Sequence, residues 1–168
     1  MRVPVAIVAL LLFSAPALAD PPKIAVFDFE LLDTSLRGEV YGTNPAEQAR
    51  LKRVGDQLRA GLKESGKFEV LDIAPVNAAA HEANLQSCGG CDVQLAEKLG
   101  ADLSMTGLVQ KVSELILNMN IYLHDAHTGK LVAQMSADFR GNTDESWSRT
   151  ASYLLRNRLL EPNYGISR

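Results

Sequence analysis

The 168-residue sequence predicts an α+β domain: a mixed sheet of about five strands, in the order βαβαβββα, with helices mainly on one face. Three observations predict it. Between residues 23 and 72 an apolar run, a capped amphipathic helix and a second short apolar run follow one another, the pattern of a right-handed crossover joining parallel neighbours. Three neighbouring segments between 103 and 139 alternate apolar and polar residues with period two, which is an antiparallel meander with one buried face. A helix-period segment then closes the chain.

The first nineteen residues, MRVPVAIVALLLFSAPALA, stand apart from that pattern. Arg2 precedes an apolar stretch over 5–13, and the small-x-small triplet Ala17-Leu18-Ala19 predicts an export signal cleaved after Ala19. The stretch is too short to span a bilayer, and position 20 is Asp rather than a lipid-anchor Cys. Removing nineteen of 168 residues leaves 149, a size that supports one domain over 20–168, expected in the periplasm. The mature chain loses one Arg and no acid, so its net charge is −4. With no basic stripe, nucleic acid and anionic membrane surfaces are not expected partners.

KIAVFDFE (23–30) reads as a strand buried on both faces, hence central. A polar loop, LLDTSLRGEVYGTNP, follows. Asn44 then caps a helix, with Pro45 at its first position, Glu47 completing a capping box, and Leu51, Val54, Leu58 and Leu62 on one stripe up to Gly66. KFEVLD (67–72) is the next strand, and the alanine-rich 75–86 a helix. DVQLAEKLG, with Asp92 in its first turn and Gly100 at its stop, forms two further helical turns. In the meander, Leu103, Met105, Gly107 and Val109 share one face. Leu115, Leu117, Met119, Ile121 and Leu123 follow on the second strand, with Asn118, Asn120 and Tyr122 opposite, and Leu131, Ala133, Met135, Ala137 and Phe139 on the third. Asp125 and Gly129 turn the last hairpin. Asn142 or Thr143 caps the final helix, Asp144 and Glu145 sit in its first turn, and Trp147, Ala151, Leu154, Leu155 and Leu159 form its apolar face.

Both cysteines lie in CGGC, 88–91. Haem attachment needs a following His, and residue 92 is Asp. A zinc site would need His81, His124 or His127 to complete the ligand set. A thiol–disulfide oxidoreductase or redox sensor using Cys88 and Cys91 is the alternative function. Against it, a helical stretch precedes the motif, the next helix begins at or after Cys91 so that Cys88 gains little of its field, and no proline occurs between Cys91 and Pro162. The expected role is a structural disulfide in an oxidising compartment, with two glycines permitting the tight turn.

His124-x-x-His127 falls in a hairpin turn and reads as solvated rather than metal-binding. Asp28, Glu30 and Asp33 lie at or beyond the end of the central strand, a frequent place for function in α/β sheets, yet no base, nucleophile or phosphate loop accompanies them. No Gly-x-Ser-x-Gly, His-Glu-x-x-His or Walker-type motif is present. The expectation is no catalytic residue, no metal and no cofactor. A possible partner surface gathers Arg140, Asn142, Asp144 and Trp147 where the last strand meets the last helix.

IAVFDFELLDTS, EQARLKRVGDQLRAGL, SGKFEVLD, the cysteine pair, LAEKLGADLSMTGLVQKVS and IYLHDAHTGKLV resemble the DUF2380/DUF3280-type secreted bacterial proteins of unknown function over nearly the whole mature chain. The motif order also resembles the amino-terminal domain of TolB and the curli-secretion (CsgG-like) domains. Segments 66–72, 99–107 and 125–129 match that layout, whereas a β-propeller and a lipid-anchor cysteine are missing. The resemblance implies a non-enzymatic envelope accessory domain that binds another periplasmic or envelope protein or a small ligand. It does not imply a membrane-spanning chain, and it carries no catalytic residues.

Overall fold

The computed structural model describes residues 20–165; the stretch 1–19, expected to be an export signal, lies outside the described residues. β1 (Lys23–Val26) is central, as its continuous apolar run requires, and β2 (Glu30–Asp33) continues beyond it. α1 (Leu36–Tyr41) and the long α2 (Pro45–Glu64) follow, and α2 crosses over to the short edge strand β3 (Glu69–Val70), parallel to β1. A 3₁₀ turn at Ala74–Val76 leads into α3 (Asn77–Ala83), and α4 (Cys91–Lys98) follows the cysteine corner. β4 (Leu103–Lys111), β5 (Leu117–Asp125) and β6 (Leu131–Phe139) form the expected meander, and α5 (Asp144–Tyr153) continues in wider π-helical turns over Leu154–Leu160. The strand order is β3-β1-β4-β5-β6, with β2 also paired parallel to β4.

The structure corrects the reading of 23–45. One strand over 23–30 and a polar loop become two strands and a helix. Val26 pairs with Met105 but Glu30 pairs with Leu108, so Phe27, Asp28 and Phe29 pass only two residues of β4. That one extra residue is a bulge, and it switches which side chains face which side of the sheet. Ala25 and Phe27 enter the core beneath α3 and α4, whereas Phe29 and Leu31 join the core beneath α2 and α5. Phe29 fits because position 107 is Gly: a Cβ there would fall within its ring. α1 then starts at Ser35, whose Oγ accepts from Gly38 N at 3.1 Å while Asp33 holds the Ser35 amide at 2.9 Å.

The larger core lies between the sheet and the two long helices. It contains Leu51, Val54, Leu58 and Leu62 of α2 and Trp147, Ala151, Leu154, Leu155 and Leu159 of the final helix, against most of the meander residues expected to face inward; Leu131, beside the β5–β6 register shift, is 50 % exposed instead. Each fully buried aliphatic chain there contributes about 1.5–3 kcal/mol. α3 and α4 cover part of the opposite face with a smaller core that includes Ile73, Val76, Ala80, Leu95 and Ala96. The rest of that face is a polar ladder, in which Asn118 Nδ2 donates to Ser136 Oγ at 2.8 Å and to Asp138 Oδ1 at 2.7 Å. β3 is shorter than the expected 67–72, and β5 begins at Leu117, not Leu115, because Ser113 Oγ accepts the Leu115 and Ile116 amides in the preceding turn.

Candidate functional site

Cys88 and Cys91 are brought together within disulfide distance, with Cα atoms 5.7 Å apart. Gly89 and Gly90 take φ of 70° and 105°, conformations that side-chain-bearing residues rarely adopt. α4 begins at Cys91 as expected, yet Cys88 is not outside its reach: the Cys91 amide donates to Cys88 Sγ at 3.2 Å. The three histidines go to three different carboxylates. His81 Nε2 lies 3.5 Å from Asp28, His127 Nε2 lies 3.3 Å from Asp102, and His124 Nδ1 lies 3.0 Å from the buried Asp92, which also accepts from Ser104 Oγ at 2.8 Å. His124 therefore belongs to β5 and a partly buried pair, a correction to its reading as a solvated turn. Among the described residues no three His, Cys, Asp or Glu side chains converge as metal ligands.

The carboxylates beyond the central strand are each engaged. Asp28 pairs with Arg59 at 2.8 Å, and Glu30 accepts the Leu85 and Gln86 amides at 2.8 and 3.3 Å. Asp33 joins a cluster invisible in the sequence. Lys111, 1 % exposed, meets Glu47 at 2.7 Å, Glu114 at 2.8 Å and Asp33 at 3.2 Å. Burial alone would push the Lys111 ammonium down, but the three carboxylates outweigh it and hold it above its ordinary value. Burial likewise pushes Asp33 up, and the Ser35 and Lys111 hydrogen bonds reverse this to hold it below its ordinary value.

That cluster reaches the junction read as a partner surface. Asn142 Nδ2 donates to Glu47 at 2.6 Å and to Glu114 at 2.9 Å, while its Oδ1 accepts from Arg50 at 3.1 Å and from the Trp147 indole at 2.9 Å. Trp147 is 1 % exposed and meets Phe139 edge-on at 6.0 Å between ring centroids. The structure thus removes Trp147 from any contact surface, since its ring completes the core. Asn142 ties the loop to that core. Asp144 is exposed and held by Arg50 and Arg53, each at 2.7 Å, and Arg140 is exposed with no ion pair among the described residues.

The most exposed apolar surface is elsewhere and was missed. α1 contains no buried residue, and Leu36 and Tyr41 are each 76 % exposed beside Val40. The β4–β5 turn at the same end of the sheet exposes Val112, Leu115 and Ile116. Thr34 N donates to Lys111 O at 2.9 Å, and Arg37 pairs with Glu114 at 3.7 Å, so α1 is tied to that turn. Arg37 also lies over the Tyr41 ring, 5.6 Å from its centroid. The available signal was Ser35 followed by Leu36 and Val40 at helical spacing, hidden inside a stretch otherwise polar.

The family model described as "Protein of unknown function (DUF2380)", DUF3280, matches residues 22–159. The chain belongs to this family. No curated protein matches it. Among solved structures, the family chain is similar to the LpoB C-terminal domain from Salmonella enterica, at 15 % identity over 74 % of this chain and 86 % of that one, TM-score 0.51. It is also similar to lipoprotein GNA1162 from Neisseria meningitidis, at 19 % identity over 88 % and 100 %, TM-score 0.49. TolB from Acinetobacter baumannii matches at 12 % identity over 83 % of this chain and 29 % of that one, TM-score 0.43. The likeness to the LpoB domain concerns the fold alone. Among the described residues no helix is long and apolar enough to cross a membrane.

Proposed function

We propose that this family chain is an exported, non-enzymatic interaction domain of the bacterial envelope, and that it docks another envelope protein through the apolar end built by α1 and the β4–β5 turn. The observation that carries this reading is a helix with no buried residue whose Leu36, Val40 and Tyr41 all face solvent. Contiguous exposed apolar surface with polar edges is typical of binding sites. Tyr41 under Arg37 supplies the aromatic and guanidinium anchors that dominate protein interfaces. Glu39 on α1 and the half-exposed Glu114 in the turn place carboxylates within these two segments, which favours a protein partner over an anionic lipid surface. A photo-crosslinking residue at Tyr41 in the exported protein is expected to give one discrete adduct of protein mass. The same residue at Glu97 should give none, and Leu36→Asp with Val40→Asp should abolish the adduct. Equal adducts at both positions, or binding to phosphatidylglycerol vesicles instead, would refute the reading.

A second reading rests on the amide of Cys91 at Cys88 Sγ. A sulfur hydrogen-bonded at a helix start is stabilised as thiolate, as thiol–disulfide exchange requires. Equilibration with glutathione decides it: a potential near about −120 to −200 mV supports exchange, and one below about −300 mV marks a structural bond.

A further inference from the structure

We infer that the free edge of β6 is a second docking site, which takes an extended, acid-bearing segment of a partner protein as an added strand. This surface differs in place and chemistry from the apolar end. β6 terminates the sheet, and no strand pairs with its outer side among the described residues. Alternate N–H and C=O groups of such a strand point outward without partners and form a template for another backbone. Natural edges are blunted by lysines, prolines or bulges. Here the β5–β6 register is irregular only near Val132, and Ala133–Phe139 runs regularly with no Lys, Pro or Gly.

A groove of about 580 Å³ lies between this edge and α5, with Ala137, Asp138, Phe139, Arg140, Arg149 and Tyr153 among the residues on its walls. An unpaired strand beside a helix is the arrangement in which backbone bonds supply affinity and alternate side chains enter the groove. Its charges select the occupant. Among the described residues Arg140 has no ion pair and Arg149 has only the exposed Glu145 at 3.4 Å, while Asp138, the one carboxylate on the walls, accepts from Asn118 Nδ2 at 2.7 Å, which leaves the two guanidiniums in excess. Glutamate or aspartate on the incoming strand would pair with the two guanidiniums.

The test uses the mature chain and two fluorescein-labelled nonapeptides, one alternating valine with threonine and glutamate, the other with lysine replacing glutamate. The glutamate peptide should bind at least about tenfold more tightly, with preference reversed by Arg140→Glu and Arg149→Glu together. Its binding should slow amide exchange across Ala133–Phe139. Unprotected β6 amides, or equal binding of both peptides, would overturn the inference. So would β6 protection that rises with protein concentration in the absence of peptide, which would identify a second copy as the occupant. Leu36→Asp with Val40→Asp should leave peptide binding unchanged, so this site and the apolar end fail or stand separately.

Discussion

At position 111 a lysine stands where the alternation of β4 calls for an apolar side chain. Its neighbours in that series, Leu103, Met105 and Val109, all enter the larger core. Lys111 reaches the end of that core, where Glu47, Glu114 and Asp33 converge from three separate segments. Lys111→Met should cost about 3–5 kcal/mol in urea unfolding, because it leaves the buried Glu47 carboxylate without its cation. The pH limits follow from the shifts. Asp33 sits below its ordinary value, so its contribution is present above about pH 4 and is lost as pH falls through the folded value. Lys111 sits above its ordinary value, so its contribution is complete below about pH 10 and is lost as pH rises through the folded value. Asp33→Asn should therefore make the acid limb of a stability–pH curve shallower, and should also lessen the alkaline loss, because Asp33 is one of the three carboxylates that hold Lys111 up. None of this was legible beforehand. A lysine in a strand reads as solvent-facing until the chain has brought its partners from residues 33, 47 and 114.

Among the elements, α2, the meander and α5 were readable because each repeats one period over many residues, and the two helices begin with recognisable caps, Asn44 and Thr143. β2 and α1 were not, because the extra residue at Phe27–Phe29 breaks the period on which any such reading depends. One member of the expected partner surface, Trp147, is buried for a related reason. Helical spacing made Trp147 conspicuous, and the same spacing is what buries it. α1 supplies a test at this scale. As it buries nothing, Leu36→Asp with Val40→Asp should change unfolding stability by less than about 0.5 kcal/mol while removing docking. Replacing both Cys88 and Cys91 by serine should cost about 2 kcal/mol, the chain-entropy value for so small a ring, measured as a shift in urea midpoint.

Across the whole molecule, the two exposed surfaces proposed for docking lie on different parts of the sheet, the apolar end beyond β2 and β4 and the free edge of β6. One substitution probes the assembly as a unit. Gly107→Ala puts a methyl group into the space of the Phe29 ring and should cost about 1–3 kcal/mol, the usual penalty for overpacking. Its effect should not stop at the Phe29 side. The bulge makes one short stretch, Val26 to Phe29, serve as a stitch drawn through the sheet from one face to the other. A stitch cannot slacken on one side of the cloth alone. Fluorescence of the single tryptophan, Trp147, reports one face and amide exchange in α4 reports the other, and both should lose their native signal at the same denaturant concentration. Two hydrophobic layers that share no helix would then open and close as one cooperative body.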